Sequence, residues 1–141
     1  MRSRLFLFVI PVMILTSCQL LGSNSHKHNL SHNSGTTIVG QWQWLKTTGG
    51  FMGATYTPKS KGYGHYTISF SSEFNYSEMR EDTIVYSGTY SLTKNNDKTV
   101  LQLHAPGITT FDKNVTIQNN DTLILMVQCF DCFISTYKRV N

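Results

Sequence analysis

Histidines, cysteines and carboxylates are the residues of this chain that could do chemistry, and their spacing limits which chemistry each can support. His26, His28 and His32 lie close together. Neutral imidazole is a common ligand for zinc, copper and nickel. The surrounding run of Gly, Ser, Asn and Thr, however, offers none of the outer hydrogen bonds that orient metal ligands, so these three read as part of a solvated spacer and no metal is expected. His65 and His104 share their strand faces with polar or mixed neighbours (Thr67 and Ser69; Val100 and Gln102), which reads as imidazoles facing solvent or a lumen. Glu73, Glu78, Glu81 and Asp82 crowd one hairpin and read as solvated loop acids, not as a paired acid and base. Gly49-Gly50-Phe51-Met52-Gly53 lacks the strand-to-helix context of a phosphate cradle. It reads as a flexible loop, with Phe51 and Met52 assigned to the core or, failing that, to contact with an apolar ligand or partner. Nothing has the form of a nucleophile elbow. No catalytic residue is assigned, no cofactor is expected, and the protein reads as a non-enzyme.

The elements that must position these residues follow from composition. The chain has 141 residues, of which only 14% are charged, against roughly 25% in an average soluble protein. That excludes a polybasic nucleic-acid binder and an acidic disordered tail. Met1 to Ser17 differs from the rest: Arg2 and Arg4 precede an apolar run, Leu5 to Leu15, too short to span a bilayer as a helix. This is the pattern of a secretory signal. Without it, ten basic side chains face eight acidic ones and the formal net charge falls from +4 to +2. Among the 124 residues that follow, Val, Ile and Thr number 29 and Ala two. Strand-forming residues abound, and the best helix former is nearly absent.

Leu15-Thr16-Ser17-Cys18 resembles the bacterial lipobox. The resemblance implies that Cys18 becomes the lipidated N-terminus of a lipoprotein, carrying a diacylglycerol and a further acyl chain such as palmitate, and that this residue is the membrane contact. At roughly 0.8 kcal/mol per buried methylene, several acyl chains anchor the protein without other membrane elements. Gln19, by the proteobacterial sorting pattern, implies the outer membrane, on its periplasmic face with cell-surface exposure as the alternative. The expected organisation is residues 1–17 as signal peptide, 18–37 as lipidated Cys and flexible tether, and 38–141 as the folded domain.

An export signal also places Cys129-Phe130-Asp131-Cys132 in an oxidising compartment. The two cysteines flank what reads as a two-residue hairpin turn, where cross-strand Cα atoms lie about 5.5 Å apart, close to disulfide geometry. With Cys18 lipidated, the remaining thiols are even in number. A Cys129–Cys132 disulfide is the expected state, with free thiols, or a metal or redox role, as the alternatives.

From Ile38 onward the sequence alternates with period two. Gly40, Trp42 and Trp44 share one face, as do Tyr66, Ile68 and Phe70, then Phe74 and Tyr76. Ile84, Tyr86, Gly88, Tyr90 and Leu92 form the longest set. Leu101 with Leu103, Val115 with Ile117, Leu123 to Val127, and Phe133 to Arg139 continue the pattern, with a short strand near Gly53 to Thr57. Eight or nine short strands with hairpin-length connections predict an all-β fold: a small antiparallel up-and-down barrel of about eight strands, closed so that no edge is left unpaired. Gly62, Gly64 and Gly88 suit the bends that such a barrel needs.

Gly40-Gln41-Trp42 is similar to the Gly-x-Trp of lipocalin-type barrels, and Arg139 matches that family's C-terminal Arg. With Trp44, Gly49-Gly50, Thr55-Tyr56-Thr57-Pro58, Ser87-Gly88-Thr89-Tyr90 and Thr136-Tyr137-Lys138-Arg139, the chain resembles the small lipocalin-like lipoproteins of bacterial envelopes. The resemblance implies that Arg139 packs over Trp42 and, with Gly40, closes the barrel base. The barrel pattern and the aromatic face of Trp44, Tyr66, Phe70, Phe74, Tyr76, Tyr86 and Tyr90 point to a membrane-anchored, monomeric binding module for a small apolar ligand, with Trp44, Tyr66, Phe70, Tyr86 and Tyr90 as candidate ligand contacts. The other reading of this face is that it simply fills the interior of a tight barrel. The alternatives are a protein-interaction or inhibitor lipoprotein that uses its loops on an envelope protein, and a metal or redox sensor built on Cys129 and Cys132.

Overall fold

The structure, a computed structural model, describes residues 37 to 140. The signal segment, Cys18, the histidines of the spacer and most of the tether lie outside the described residues. Nine strands follow in order: β1 Gly40–Gly49, β2 Ala54–Tyr56, β3 Tyr66–Phe70, β4 Asn75–Arg80, β5 Thr83–Asn95, β6 Lys98–His104, β7 Lys113–Gln118, β8 Thr122–Val127 and β9 Ile134–Arg139. All pairings are antiparallel, in the sheet order β2-β1-β3-β4-β5-β6-β7-β8-β9, and β1 also pairs with β9. Eight strands therefore close a barrel, the all-β architecture predicted, and β2 is a short extra strand on the far end of β1. Among the described residues no helix is long and apolar enough to cross a membrane.

β1 does two jobs. Its first half, Gly40 to Gln43, lies between β3 and β9. Its second half, Thr47 to Gly49, exchanges β3 for β2. The switch falls at a bulge between Trp44 and Lys46, which turns Leu45 out to 43% exposure and directs Thr47, like Trp44, towards the lumen. The segment between β2 and β3 includes a 3-10 turn, Lys59–Lys61, and lies at the upper end of the barrel, where β1 ends.

The lower end, where the described chain enters, is solid. Trp42, Ile68, Leu101 and Leu123 are the largest fully buried side chains, and Phe70, Tyr76, Tyr90, Leu103 and Leu125 pack with them. The register explains this: Trp42 faces Ile68 and Phe70 faces Tyr76, so the inward faces of neighbouring strands meet as same-face pairs. Burying the Trp42 side chain alone is worth about 5 kcal/mol at 25 cal/mol per Å². The indole N–H is satisfied by the Ile38 carbonyl at 2.7 Å.

Gly88 sits where β5 crosses close to the end of β6; an added Cβ would lie 2.0 Å from the His104 carbonyl oxygen. Two strand-face readings change. Phe74 does not share a strand face with Tyr76: it has a left-handed φ of 61° in the β3–β4 turn and is 43% exposed. Ile84 leaves the face shared by Tyr86, Gly88, Tyr90 and Leu92 because β5 is bulged opposite Glu78 and Met79, and it is 59% exposed. A bulge shifts the alternation by one residue, which a strict period of two cannot register.

Candidate functional site

Above the packed floor the barrel opens into a cavity of ≈ 310 Å³ lined by Trp44, Thr47, Lys61, Tyr63, Tyr66, Glu78 and Tyr137. The wall residues come from β1, β3, β4, β9 and the segment between β2 and β3. Trp44 precedes the β1 bulge, and its indole N–H donates to Thr47 Oγ1 at 2.9 Å. Thr47 in turn hydrogen-bonds Ser135 of β9, hydroxyl to hydroxyl, at 2.8 Å. Tyr137 lies directly across the β1–β9 ladder from Trp44.

Tyr66 opens β3 and meets Trp44 edge-on, with ring centroids 6.0 Å apart at 75°. Tyr63 comes from the segment before β3 and stacks on Tyr66 at 6.0 Å and 24°. The guanidinium of Arg80 lies 5.3 Å from the other partner in this row, the Tyr63 ring. Edge-to-face and offset contacts of this kind fix ring orientation as well as adding energy, so the aromatic wall is already organised.

Glu78 corrects the reading of it as a solvated loop acid. It pairs with Ile68 on one side and Tyr86 on the other, and Ile68 is buried in the core, so the register turns the carboxylate inward. Its Oε2 accepts the Tyr66 hydroxyl. Among the described residues it has no cationic partner within ion-pair distance. Its charge is felt across the lumen. Burial, reinforced by Glu78, pushes the Tyr66 hydroxyl far above the ordinary tyrosine range, and Tyr137 is raised by the same two causes. Lys113, opposite Leu101 and Val127 on the lumen face, is shifted down by desolvation, against the pull of Glu78 and Asp112. Its ammonium donates to the Phe111 carbonyl at 3.2 Å.

The candidate ligand contacts thus divide. Trp44 and Tyr66 line the cavity, and Tyr86 stands beside it, opposite Glu78 and 47% exposed. Phe70 and Tyr90 belong to the closed end instead, packed edge-to-face at 5.0 Å, with the Tyr90 hydroxyl donating to the Ser71 carbonyl. Glu78, Tyr63 and Tyr137 are cavity residues that the sequence reading did not select. Tyr137 was detectable in principle, since it alternates with Ser135 and Arg139. Glu78 was detectable only by continuing the phase of Tyr76 one step further.

At the base, the Arg139 guanidinium lies 4.0 Å from the Trp42 ring and beside Gly40, where a Cβ would meet Nη1 at 2.6 Å. At the upper rim, Cys129 and Cys132 face each other with Cα atoms 5.3 Å apart, a separation that suits a disulfide. They lie in a loop between β8 and β9, not within the ladder as a two-residue hairpin would place them. The Gly50 N–H donates to the Asp131 carbonyl at 3.1 Å, so this loop leans on the β1–β2 turn. Phe51, Met52 and Phe130 at these tips are 93%, 91% and 95% exposed, which removes Phe51 and Met52 from the core. His65 sits at the rim with its Nδ1 3.1 Å from Glu81. His104 is exposed beside an outer groove of ≈ 420 Å³. No three His, Cys, Asp or Glu side chains among the described residues are grouped to hold a metal ion.

The site therefore belongs to a closed β-barrel with a one-ended, aromatic-walled cavity, consistent with a lipocalin-like barrel. Comparison of the chain with family models, with curated proteins and with solved structures finds no match.

Proposed function

We propose that this protein is a membrane-anchored, non-enzymatic binding module of the bacterial cell envelope that holds a small ligand with an apolar body in the upper half of its barrel. The observation carrying this reading is the cavity itself. Its closed floor is built from Trp42, Ile68 and Leu123, its ordered aromatic wall from Trp44, Tyr63, Tyr66 and Tyr137, and its volume is of the small-molecule class. The sequence resemblance to small lipocalin-like lipoproteins supports the same reading. Lipidation of Cys18 supplies the anchor in this proposal, and the outer membrane is the proposed location.

A second reading draws on the exposed tips of Phe51, Met52 and Phe130. Large apolar side chains presented together on two adjoining loops suit a protein contact, as in an inhibitor or an interaction lipoprotein. Native mass spectrometry of the protein recovered from its own envelope separates the two. A copurifying small molecule of defined mass supports the binding module; a stoichiometric protein partner together with an empty barrel overturns it in favour of the loop surface.

A further inference from the structure

The cavity combines aromatic faces with one inward carboxylate, and that combination selects a charge type. Glu78 points into the lumen between Ile68 and Tyr86 and accepts one hydrogen bond, from Tyr66. It has no ion-pair partner among the described residues. A partly buried carboxylate with no cation in ion-pair contact keeps an oxygen available to a charged donor. The cations around the site do not contact the carboxylate: Lys61 lines the cavity but lies 4.2 Å from the Tyr56 ring, Arg80 lies against Tyr63, and Lys113, which feels the Glu78 charge, donates to the Phe111 carbonyl. Trp44, Tyr63, Tyr66 and Tyr137 offer rings around the same space, and the faces of such rings attract cations once water is displaced.

From this geometry we infer that the barrel takes a small organic cation, a primary or substituted ammonium on an apolar or aromatic body, with the cationic head against Glu78 and the body against the Trp44 and Tyr137 rings. The inference rests on the binding-module reading and names its ligand class. The ammonium donates to the Glu78 oxygen left free by Tyr66, a charge-assisted bond roughly twice as strong as a neutral one. A carboxylate-bearing ligand in the same pose would be repelled. Lys61 and Lys113 set a limit on the total positive charge, so a monocation fits and a polyamine does not.

The test titrates the purified full-length protein with benzylamine, benzyl alcohol and benzoate, which share one ring and differ in head group, following the fluorescence of Trp44 in a Trp42→Phe background and in the unmodified protein. Benzylamine is expected to bind about tenfold more tightly than benzyl alcohol, the difference between a charge-assisted and a neutral hydrogen bond, and benzoate more weakly than both. Glu78→Gln, which keeps the shape and can still accept from Tyr66, should bring the amine-to-alcohol ratio close to one. Equal binding of the amine and the alcohol, tighter binding of benzoate, or an amine preference that survives Glu78→Gln overturns the cation assignment while leaving the cavity as a binding site. Failure of all three to bind, with the circular dichroism of a folded barrel, overturns the cavity reading along with it.

Discussion

Arg139 and Trp42 close the lower end of the barrel from strands that are 97 residues apart in sequence but adjacent in the sheet. The guanidinium lies 4.0 Å from the indole centroid, and all three of its nitrogens are used. Nε donates to the Asn120 carbonyl at 2.7 Å, Nη1 to the Val39 carbonyl at 2.9 Å, and Nη2 to the Thr37 carbonyl at 2.8 Å. One side chain thus ties the chain entry, the β7–β8 turn and the last strand to the packed floor.

Arg139→Ala should destabilise the domain by about 2–4 kcal/mol, since it removes a cation–π contact and leaves three carbonyls without this donor. Arg139→Lys keeps the charge and loses the fork, and should recover less than half of that stability. Urea denaturation followed by Trp fluorescence measures both. Equal midpoints for Arg139→Ala and the unmodified protein would show that the base closes without the guanidinium.

Two glycines give opposite expectations for the same added methyl group. At Gly88 the new Cβ would lie 2.0 Å from the His104 carbonyl oxygen and 3.1 Å from the Ala105 Cα, all backbone, so β5 and β6 must separate. Gly88→Ala is expected to cost more than about 3 kcal/mol. At Gly64 the contacts are the carboxylate atoms of Glu81, a rim side chain that can move. Gly64→Ala should therefore cost below about 1 kcal/mol. Thermal melts of the two variants side by side check the contrast, and a Gly64→Ala loss as large as that of Gly88→Ala would show the rim to be as rigid as the strand crossing.

Much of this architecture could be read from alternation alone, because most inward positions here are large and apolar or aromatic. Trp42, Ile68, Phe70, Tyr90, Leu101 and Leu123 announce their face by type. The site was less legible for two physical reasons. Glu78 is inward but charged, and composition assigns a Glu to solvent unless the phase of its strand is followed through Tyr76. Phe74 and Ile84 are apolar but outward, put there by a left-handed φ and a bulge that residue type does not mark, and Phe51 and Met52 are apolar but sit at the tip of the β1–β2 turn. Phe70 and Tyr90 were on the correct face. What the sequence lacked was depth along the barrel axis, which depends on the stagger of neighbouring strands.

Alkaline pH should unfold the domain through its tyrosines. Tyr66 and Tyr137 are raised far above the ordinary value by burial first and by the Glu78 charge second; Tyr76 and Tyr90 are raised for the reasons of burial and a nearby carboxylate, Glu78 and Glu73 respectively. A folded pKa above the unfolded one means that stability is fully present below about pH 10, the unfolded value, and is lost as pH rises beyond it. Stability should therefore fall from about pH 10 upward, and tyrosinate absorbance should show a late, cooperative step coincident with loss of the β-sheet circular dichroism signal. Glu78→Gln should move that step to higher pH than in the unmodified protein, because the charge opposing phenolate formation at Tyr66, Tyr76 and Tyr137 is gone. A step unmoved by Glu78→Gln would mean that Glu78 does not face the phenols in solution.

The Cys129–Cys132 pair should stabilise the rim much more than the fold. It encloses a very short loop, and chain-entropy reasoning assigns such a closure about 2 kcal/mol, near the low end for disulfides. The loop it constrains carries Asp131 at a left-handed φ of 55°, whose carbonyl receives the Gly50 N–H. Gly49 sits so close to the Cys132 backbone that a Cβ there would lie 2.4 Å from its carbonyl oxygen. Replacing both cysteines by Ser should therefore lower the melting temperature by several degrees while preserving the barrel's circular dichroism. Amide exchange should speed up first at Gly50 and around Phe130, the two loops that lean on each other, with the Trp42 and Leu123 amides protected as before. Global unfolding of the Cys129→Ser, Cys132→Ser variant at ambient temperature would overturn this division, because it would make closure of the upper rim a condition for closure of the barrel.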